Sequence, residues 1–297
     1  GFSSWETDTL VAMVEHHLLL PDVALRRDLT DVATIQMVAD TVGTVERLEL
    51  LHALTEADSK ATGPAAWGSW QAELVGRVRH VLGGGAAEEV TWRLFPDADT
   101  LARMAAGSLD VRRDGDLITV VSPDGPGLFS RIAGVLSMHG LDVVSAQAHS
   151  DEHGMAASQF RVLSDTPDMK WRSVKADLAS ALAWELAIEA RIAERARTYR
   201  KRRQTQARKP ADPRVIFDDA GSSNATVIVV QAATSVGILH RITKALGELG
   251  LDIRHATVQT IGMEVIDTFY VRTASGGLVT DAQHRREITK AVLHAVS

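Results

Sequence analysis

The 297 residues are 45% hydrophobic, enough to bury real cores, and the length fits about three domain-sized units. A net charge of -6 argues against a general nucleic-acid binder, and no apolar run approaches the ~18 residues of a membrane span. The absence of cysteine excludes disulfides and thiolate metal ligands and fits a cytoplasmic protein.

Residues 1–82 read as helices. Asp8 or Thr9 can cap a first helix with Leu10, Met13, Val14 and Leu18 on one side and Pro21 ending it. Asp31 opens a second that Gly43 closes. Thr44 opens a third that Gly63 closes, and Pro64 starts a fourth carrying Trp67, Trp70, Leu74 and Val78. On a helix of 3.6 residues per turn, His17 projects within about 60° of Leu10, Met13 and Val14, and Asp58 within about 40° of Leu51 and Leu54. A buried, unpaired carboxylate is costly, which makes His17 and Asp58 candidate ligands of one divalent metal; the alternative is a satisfied core histidine and an Asp at a helix end. Arg26 and Arg27 can clamp a phosphate or stay solvated. The triple glycine at 83–85 marks a hinge, and 83–116 reads as a polar, partly helical linker.

The stretch 117–150 recurs without a gap at 227–260. The copies share Val120/Val230, Gly127/Gly237, Arg131/Arg241, Ile132/Ile242, Leu136/Leu246, Gly140/Gly250, Leu141/Leu251, Asp142/Asp252 and Ala146/Ala256. Two copies are too few for a solenoid, so they read as tandem domains, 117–193 and 214–297. Each opens with a β-branched run that favours a strand, passes a tight turn, and continues as a helix that stops at Gly140 or Gly250. Two further strands follow, holding Phe160/Phe269 and Val162/Val271. In the first copy a helix at 169–182 and an alternating strand at 185–192 complete a βαββαβ sandwich. The second copy ends in the helix 281–296, so Arg214-Val215-Ile216-Phe217 is expected to fill its vacant sheet edge. Between the copies, 194–213 reads as a basic linker. Residues 191–209 hold nine Lys/Arg against one Glu, a solvated connector or a contact for an acidic partner.

The turn Asp124-Gly125-Pro126-Gly127 runs straight into a helix. It presents the N–H groups of Gly127, Leu128 and Phe129 at a positive helix end, which suits an α-carboxylate, while Asp124 can pair with an α-ammonium. Gly125 and Gly127 let a ligand approach the backbone. The second loop keeps Gly237 and Ile238 but loses the acidic residue and the proline. It either packs against the first copy or holds a ligand through its backbone. Gln147 and His149 read as ordinary sheet residues or as lining.

Val14-Glu15-His16-His17-Leu18-Leu19-Leu20, Arg26-Arg27-Asp28, Ala57-Asp58-Ser59-Lys60-Ala61-Thr62 and Trp67-Gly68-Ser69-Trp70 resemble the latter part of the HD phosphohydrolase domain of bacterial protein-PII uridylyltransferases. The repeats resemble that family's two C-terminal ACT domains. The resemblance implies an α+β chain: the C-terminal part of an HD domain at 1–82, then two tandem ferredoxin-like βαββαβ ACT domains. It also implies a regulatory portion that senses glutamine to control the uridylylation and deuridylylation of the nitrogen regulator PII. Missing N-terminal catalytic domains would then use Mg²⁺ or Mn²⁺ for nucleotidyl transfer and phosphodiester hydrolysis. His17 and Asp58 would be late members of the HD metal set, with Asp124, Gly125, Gly127, Leu128, Phe129, Gly237 and Ile238 around the effector. No His-Asp dipeptide occurs, and Gly221-Ser222-Ser223 lacks the acidic pair that would hold two Mg²⁺ ions. Hydrolysis is therefore not expected from this polypeptide alone. Starting at Gly1 and not Met, the chain is expected to derive from a longer enzyme. Two rival readings are a stand-alone ACT amino-acid sensor on a degenerate helical platform and an HD/ACT hydrolase of an alarmone-type nucleotide. The latter should carry a synthetase domain between HD and ACT, and the sequence has none.

Overall fold

The computed structural model describes residues 1–27, 29, 31–62, 69–86, 95–163, 168–202, 212–261 and 263–297. They form two compact units, 1–92 with 219–224, and 93–218 with 225–297. No helix among the described residues is long and apolar enough to cross a membrane.

The first unit is helical: α1 (Ser4–His16), α2 (Leu19–Arg26), α3 (Val32–Val42), α4 (Val45–Thr62) and α5 (Ser69–Leu82). The N-cap of α1 is Ser3 and not Asp8 or Thr9, because Ser3 and Glu6 form a capping box that satisfies two first-turn N–H groups reciprocally. The chain breaks after His16, and Pro21 sits in the first turn of α2, where its missing donor is not needed. Asp31 and Gly43 bound α3 as expected. Gly63, Pro64 and Trp67 lie outside the described residues. Leu20, Val23, Ile35, Val38, Leu48, Leu51, Leu74 and Val78 make the core. Contrary to the expected inward stripe, Leu10, Val14 and Leu18 are exposed, and from that stripe only Met13 packs against this core.

The second unit is α6 (Ala98–Ala105), β1 (Asp110–Asp114), β2 (Leu117–Pro123), α7 (Leu128–His139), β3 (Asp142–Ser150), β4 (Met155–Leu163), α8 (Asp168–Leu182), α9 (Ile188–Arg202), β5 (Arg214–Asp218), β6 (Thr226–Ala233), α10 (Ile238–Glu248), β7 (Leu251–Ile261), β8 (Glu264–Thr273) and α11 (Ala282–Val296). Its strands form one antiparallel sheet in the order β1-β2-β4-β3-β7-β8-β6-β5. The edge strand of the second module is β5, as its sequence suggests. The first module is built the same way: β1, from the stretch read as linker, pairs along β2, and no strand forms at 185–192. That segment instead leads into α9. Ile188 and Ile192, four residues apart, fit one face of a helix as well as an alternating strand, and the Ala, Glu and Arg around them are strong helix formers. With the edge already occupied by β1, nothing remains for a fourth strand to pair with.

The modules meet at β3 and β7, where Ser145 pairs with Thr257, Ala146 with Ala256 and Gln147 with His255. These are equivalent positions of the two copies, so a local twofold passes through Ala146 and Ala256. The copies also share a bulge, between Val143 and Ser145 in β3 and between Ile253 and His255 in β7. A single apolar core runs under both modules, with Phe160 and Phe269 fully buried. On the opposite sheet face, Met104 of α6 covers Val121, Met155 and Ala157.

Candidate functional site

The twofold brings α7 and α10 side by side, and it is broken by α9, which has no counterpart in the second copy. Gly134 of α7 allows the close approach: a Cβ there would lie 2.5 Å from Ile188 Cγ2 and 2.8 Å from His240 Nδ1. Ile188 and Ile192 of α9 are buried in the shared core, and Ile192 covers the second loop, where a Cβ on Gly237 would meet its Cγ2 at 2.6 Å. Gly127 and Gly237 both adopt the left-handed conformation as N-caps, with φ of 76° and 77°. Gly237→Ala is therefore expected to cost about 2–4 kcal/mol, left-handed strain plus overpacking. Gly127→Ala, which has only Ser130 Oγ nearby at 3.5 Å, should cost about 1–2 kcal/mol. Urea unfolding of the two variants checks the difference, and equal losses would contradict the packing of Ile192 on the second loop.

Where the first loop, α9 and α10 converge, a cavity of about 680 Å³ opens. Pro126, Gly127, Ser130 and Arg131 line it from the start of α7. Trp184 and residues 186–190, from the α8–α9 turn and the first turn of α9, form a second wall, and His240, Lys244, Gly247 and Glu248 of α10 form a third. Its charges are of both signs. Lys244 is ion-paired with Glu189 and lies 3.9 Å from Glu248. That pairing holds the Lys244 ammonium above its usual range and the Glu189 carboxyl below its own. The Arg131 guanidinium lies 3.8 Å over the ring of Trp184, an exposed residue held at φ 63°.

Arg131 and Arg241, shared by the repeats, also have a common structural task. Nε of each donates to a carbonyl in the last turn of its module's second helix, Ala181 of α8 and Ala295 of α11, both at 2.7 Å. A cation at a helix C-terminus satisfies an orphan carbonyl and complements the dipole.

His240 lies between α7 and α10, only 5% exposed, with Nδ1 2.7 Å from the Ser130 carbonyl oxygen. Burial lowers its pKa, opposed by the Ser130 bond and by Glu189. Among the described residues its Nε2 has no hydrogen-bond partner.

Of the residues expected around an effector, Gly127 lines the cavity. Asp124 is exposed beside it and accepts the Gly125 N–H at 2.8 Å, so it shapes the turn. The Leu128 N–H is taken by the Gly125 carbonyl at 3.2 Å, and Phe129 points into the core against Phe160. Gly237 and Ile238 are buried, Gly237 under Ile192 of α9. Gln147 and His149 sit on the sheet face opposite the helices, out of phase with Ala146 and Ala148 in the helix-side core. Sequence reasoning missed Trp184, Glu189, His240 and Lys244. Glu189 belongs to an element read as a strand, and Trp184 immediately precedes it. His240 and Lys244 stand opposite Ser130 and Gly134 in the repeat, where departure from the first copy was the available signal.

In the helical unit the metal reading loses its premise. His17 and Asp58 are both exposed, and His17 Nδ1 is 2.7 Å from the Val14 carbonyl. Among the described residues no group of three or more His, Asp or Glu side chains converges, so the residues present do not make a metal site by themselves. Arg27 donates to the Ala220 carbonyl within this unit, and the Arg26 side chain lies outside the described residues.

The sequence matches the ACT domain family over 117–168. Proteins named bifunctional uridylyltransferase/uridylyl-removing enzyme align with nearly all of it. That of Streptomyces coelicolor is 36% identical over 93% of this chain and 39% of its own length. Those of Gluconobacter oxydans and Erythrobacter litoralis are 33% and 30% identical over 100% of this chain and 37% and 38% of theirs. The chain is homologous to the C-terminal part of the bifunctional uridylyltransferase/uridylyl-removing enzymes. It spans under two fifths of the length of these curated relatives. Within that part, 117–168 is ACT, and the second copy repeats its strand order about the local twofold.

Proposed function

We propose that this chain is the regulatory portion of a PII uridylyltransferase/uridylyl-removing enzyme, and that its paired ACT modules sense glutamine. The observation that carries the reading is the cavity between α7, α9 and α10, whose walls hold charges of both signs. An α-amino acid is a zwitterion and needs a cation for its carboxylate and an anion for its ammonium. Lys244 and Arg131 supply the first, Glu189 and Glu248 the second. The positive dipole end of α7 reinforces the carboxylate side.

In this reading the helical unit is the end of an HD domain. The transferase and hydrolase chemistry, with its Mg²⁺ or Mn²⁺, belongs to parts of the parent enzyme that precede it, and PII is the parent's substrate. Glutamine acts by population shift. It biases the catalytic parts only through its differential affinity for two arrangements of the regulatory portion. The α9 helix is suited to transmit the change, since it walls the cavity and continues toward the basic connector.

Calorimetric titration of the full chain with glutamine, glutamate and other amino acids tests this. Glutamine-selective heat that falls roughly tenfold or more in affinity in Lys244→Ala is expected. Silence with every amino acid would remove the sensor.

A further inference from the structure

We infer that Arg131 is the two-point anchor for the α-carboxylate of the effector and that Trp184 holds it flat for that task, an inference that rests on the effector reading above. The repeats supply the contrast. In the second copy the Arg241 guanidinium is spent inside its own module. Its Nε donates to the Ala295 carbonyl at 2.7 Å, one terminal nitrogen to the Val236 carbonyl at 3.0 Å and the other to Ser235 Oγ at 2.7 Å. In the first copy Arg131 Nε makes the matching bond to the Ala181 carbonyl at 2.7 Å, but among the described residues neither terminal nitrogen has a hydrogen-bond partner. Gly125 stands where the second copy has Ser235, so the hydroxyl that engages Arg241 is missing. The donor fork of Arg131 is left open.

That fork is within reach of a ligand. Arg131 and Trp184 both line the cavity, and neither terminal nitrogen of Arg131 is sealed from solvent. The Ala181 bond ties the guanidinium to the end of α8, and the Trp184 ring lies against it at 3.8 Å. A guanidinium packed on a ring face keeps its N–H groups in its own plane, free to bond past the ring edge. Trp184 is 70% exposed, so core packing does not account for its place, and it holds φ 63°, alone among the described non-glycine residues. Strain of this kind persists only where the surroundings hold it, and it gathers at ligand clamps. With one edge tied to α8 and one face on the indole, the fork is ordered before a ligand arrives. A planar anion with two oxygens matches it. Lys244, engaged by Glu189 and 3.9 Å from Glu248, adds positive charge without a free pair of donors, and the two carboxylates beside it suit the α-ammonium.

The full chain is titrated with glutamine and with glutaminamide, which keeps the ammonium and the side chain but carries an uncharged amide in place of the α-carboxylate. Wild type should favour glutamine by roughly ten- to hundredfold. In Arg131→Lys, which keeps the charge and loses the fork, that preference should fall at least fivefold. Taking the ratio of two ligands on one variant cancels any general loosening of α8. Trp184→Leu should lower the preference by roughly three- to tenfold and Trp184→Phe should restore most of it, since Phe returns the aromatic face. If Arg131→Lys keeps the wild-type preference while Lys244→Ala lowers it, Lys244 is the anchor, the inference is overturned and the effector reading survives. If no amino acid binds wild type, the effector reading itself fails. A measurement on the unaltered protein guards against misfolded variants: the ¹⁵N signals of the Arg131 terminal nitrogens should move on saturation with glutamine. Unmoved signals with glutamine bound would overturn the inference.

Discussion

Raising the pH from about 5 to about 8 is expected to weaken the second module by several kcal/mol, and Asp267→Asn to abolish most of that loss. Asp267 lies on β8, in phase with Val265 and Phe269 on the helix side, paired across the sheet with Val230 and Val258. It is fully buried, and neither carboxylate oxygen makes a close hydrogen bond among the described residues, the Gln259 backbone N–H offering only a weak, distant contact. Burial pushes its carboxyl up from 3.8 to about 8, opposed only in part by the backbone of Gln259. The folded state therefore holds this proton more tightly than the unfolded chain does. Well below the unfolded pKa both states are protonated and the site carries no ionisation penalty. As the pH rises, the unfolded chain ionises first, and stability drains away until the pH passes the folded value near 8. Linkage puts the loss on the order of 5 kcal/mol across that window, a large share of a domain's stability.

Native-state amide exchange on β6, β7 and β8 at the two pH values reads this directly. The first module supplies an internal control, because Ser158, matching Asp267 when Phe160 and Phe269 are aligned, is a buried hydroxyl that does not titrate in this range. Its strands should show no comparable loss. Asp267→Val, which suits both a strand and the apolar neighbours, should stabilise the second module most at high pH. A pH dependence that survives in the Asn variant would locate the effect elsewhere.

Asp267 also illustrates what the sequence did and did not make legible. Its position was readable: in Glu264–Thr273 the inward phase is set by Val265, Phe269 and Val271, and Asp267 falls in it. The repeat itself, its strands and first helices, the turns at Gly127 and Gly237 and the borrowed edge β5 were legible because each follows from local periodicity plus a duplicated pattern. The borrowed edge β1 was not, since Asp110-Val111-Arg112-Arg113-Asp114 has one apolar residue and becomes a strand only because β2 offers it partners. For the same reason 185–192 was misread: local alternation is ambiguous when a sheet edge is already taken, and tertiary competition decides. The cavity was half legible. The loop before α7 was in the sequence, but the walls that carry charge come from α9 and α10, and no periodicity says which helices share a seam. In the helical unit, the angular argument for His17 assumed that the apolar side of α1 faces inward, and Leu10 and Val14 face solvent; on α4 Leu51 is buried as assumed, but Asp58, two turns further on, is exposed.

The largest expected effect on binding comes from Ile192→Asp, which does not touch the cavity's charges. Ile192 is 6% exposed and fills the space over Gly237, anchoring α9 across α7 and α10. A carboxylate there has no cation in that apolar contact, and its desolvation costs several kcal/mol, more than one short interface can absorb. The helix should leave its seat, taking Glu189 and the wall from Leu186 to Ala190 with it. Glutamine affinity is then expected to fall at least hundredfold. The sheet should persist, because β3 and β7 still pair through Ala146 and Ala256. Ile192→Ala, which removes about 2–4 kcal/mol of packing without introducing a charge, should give an intermediate loss. Amide exchange separates this outcome from general unfolding: α9 should lose protection while β2, β3 and β4 keep theirs. Undiminished glutamine binding with α9 unprotected would show that the helix is a passenger on the ACT pair. Loss of both together makes α9 a wall that the site needs to hold glutamine.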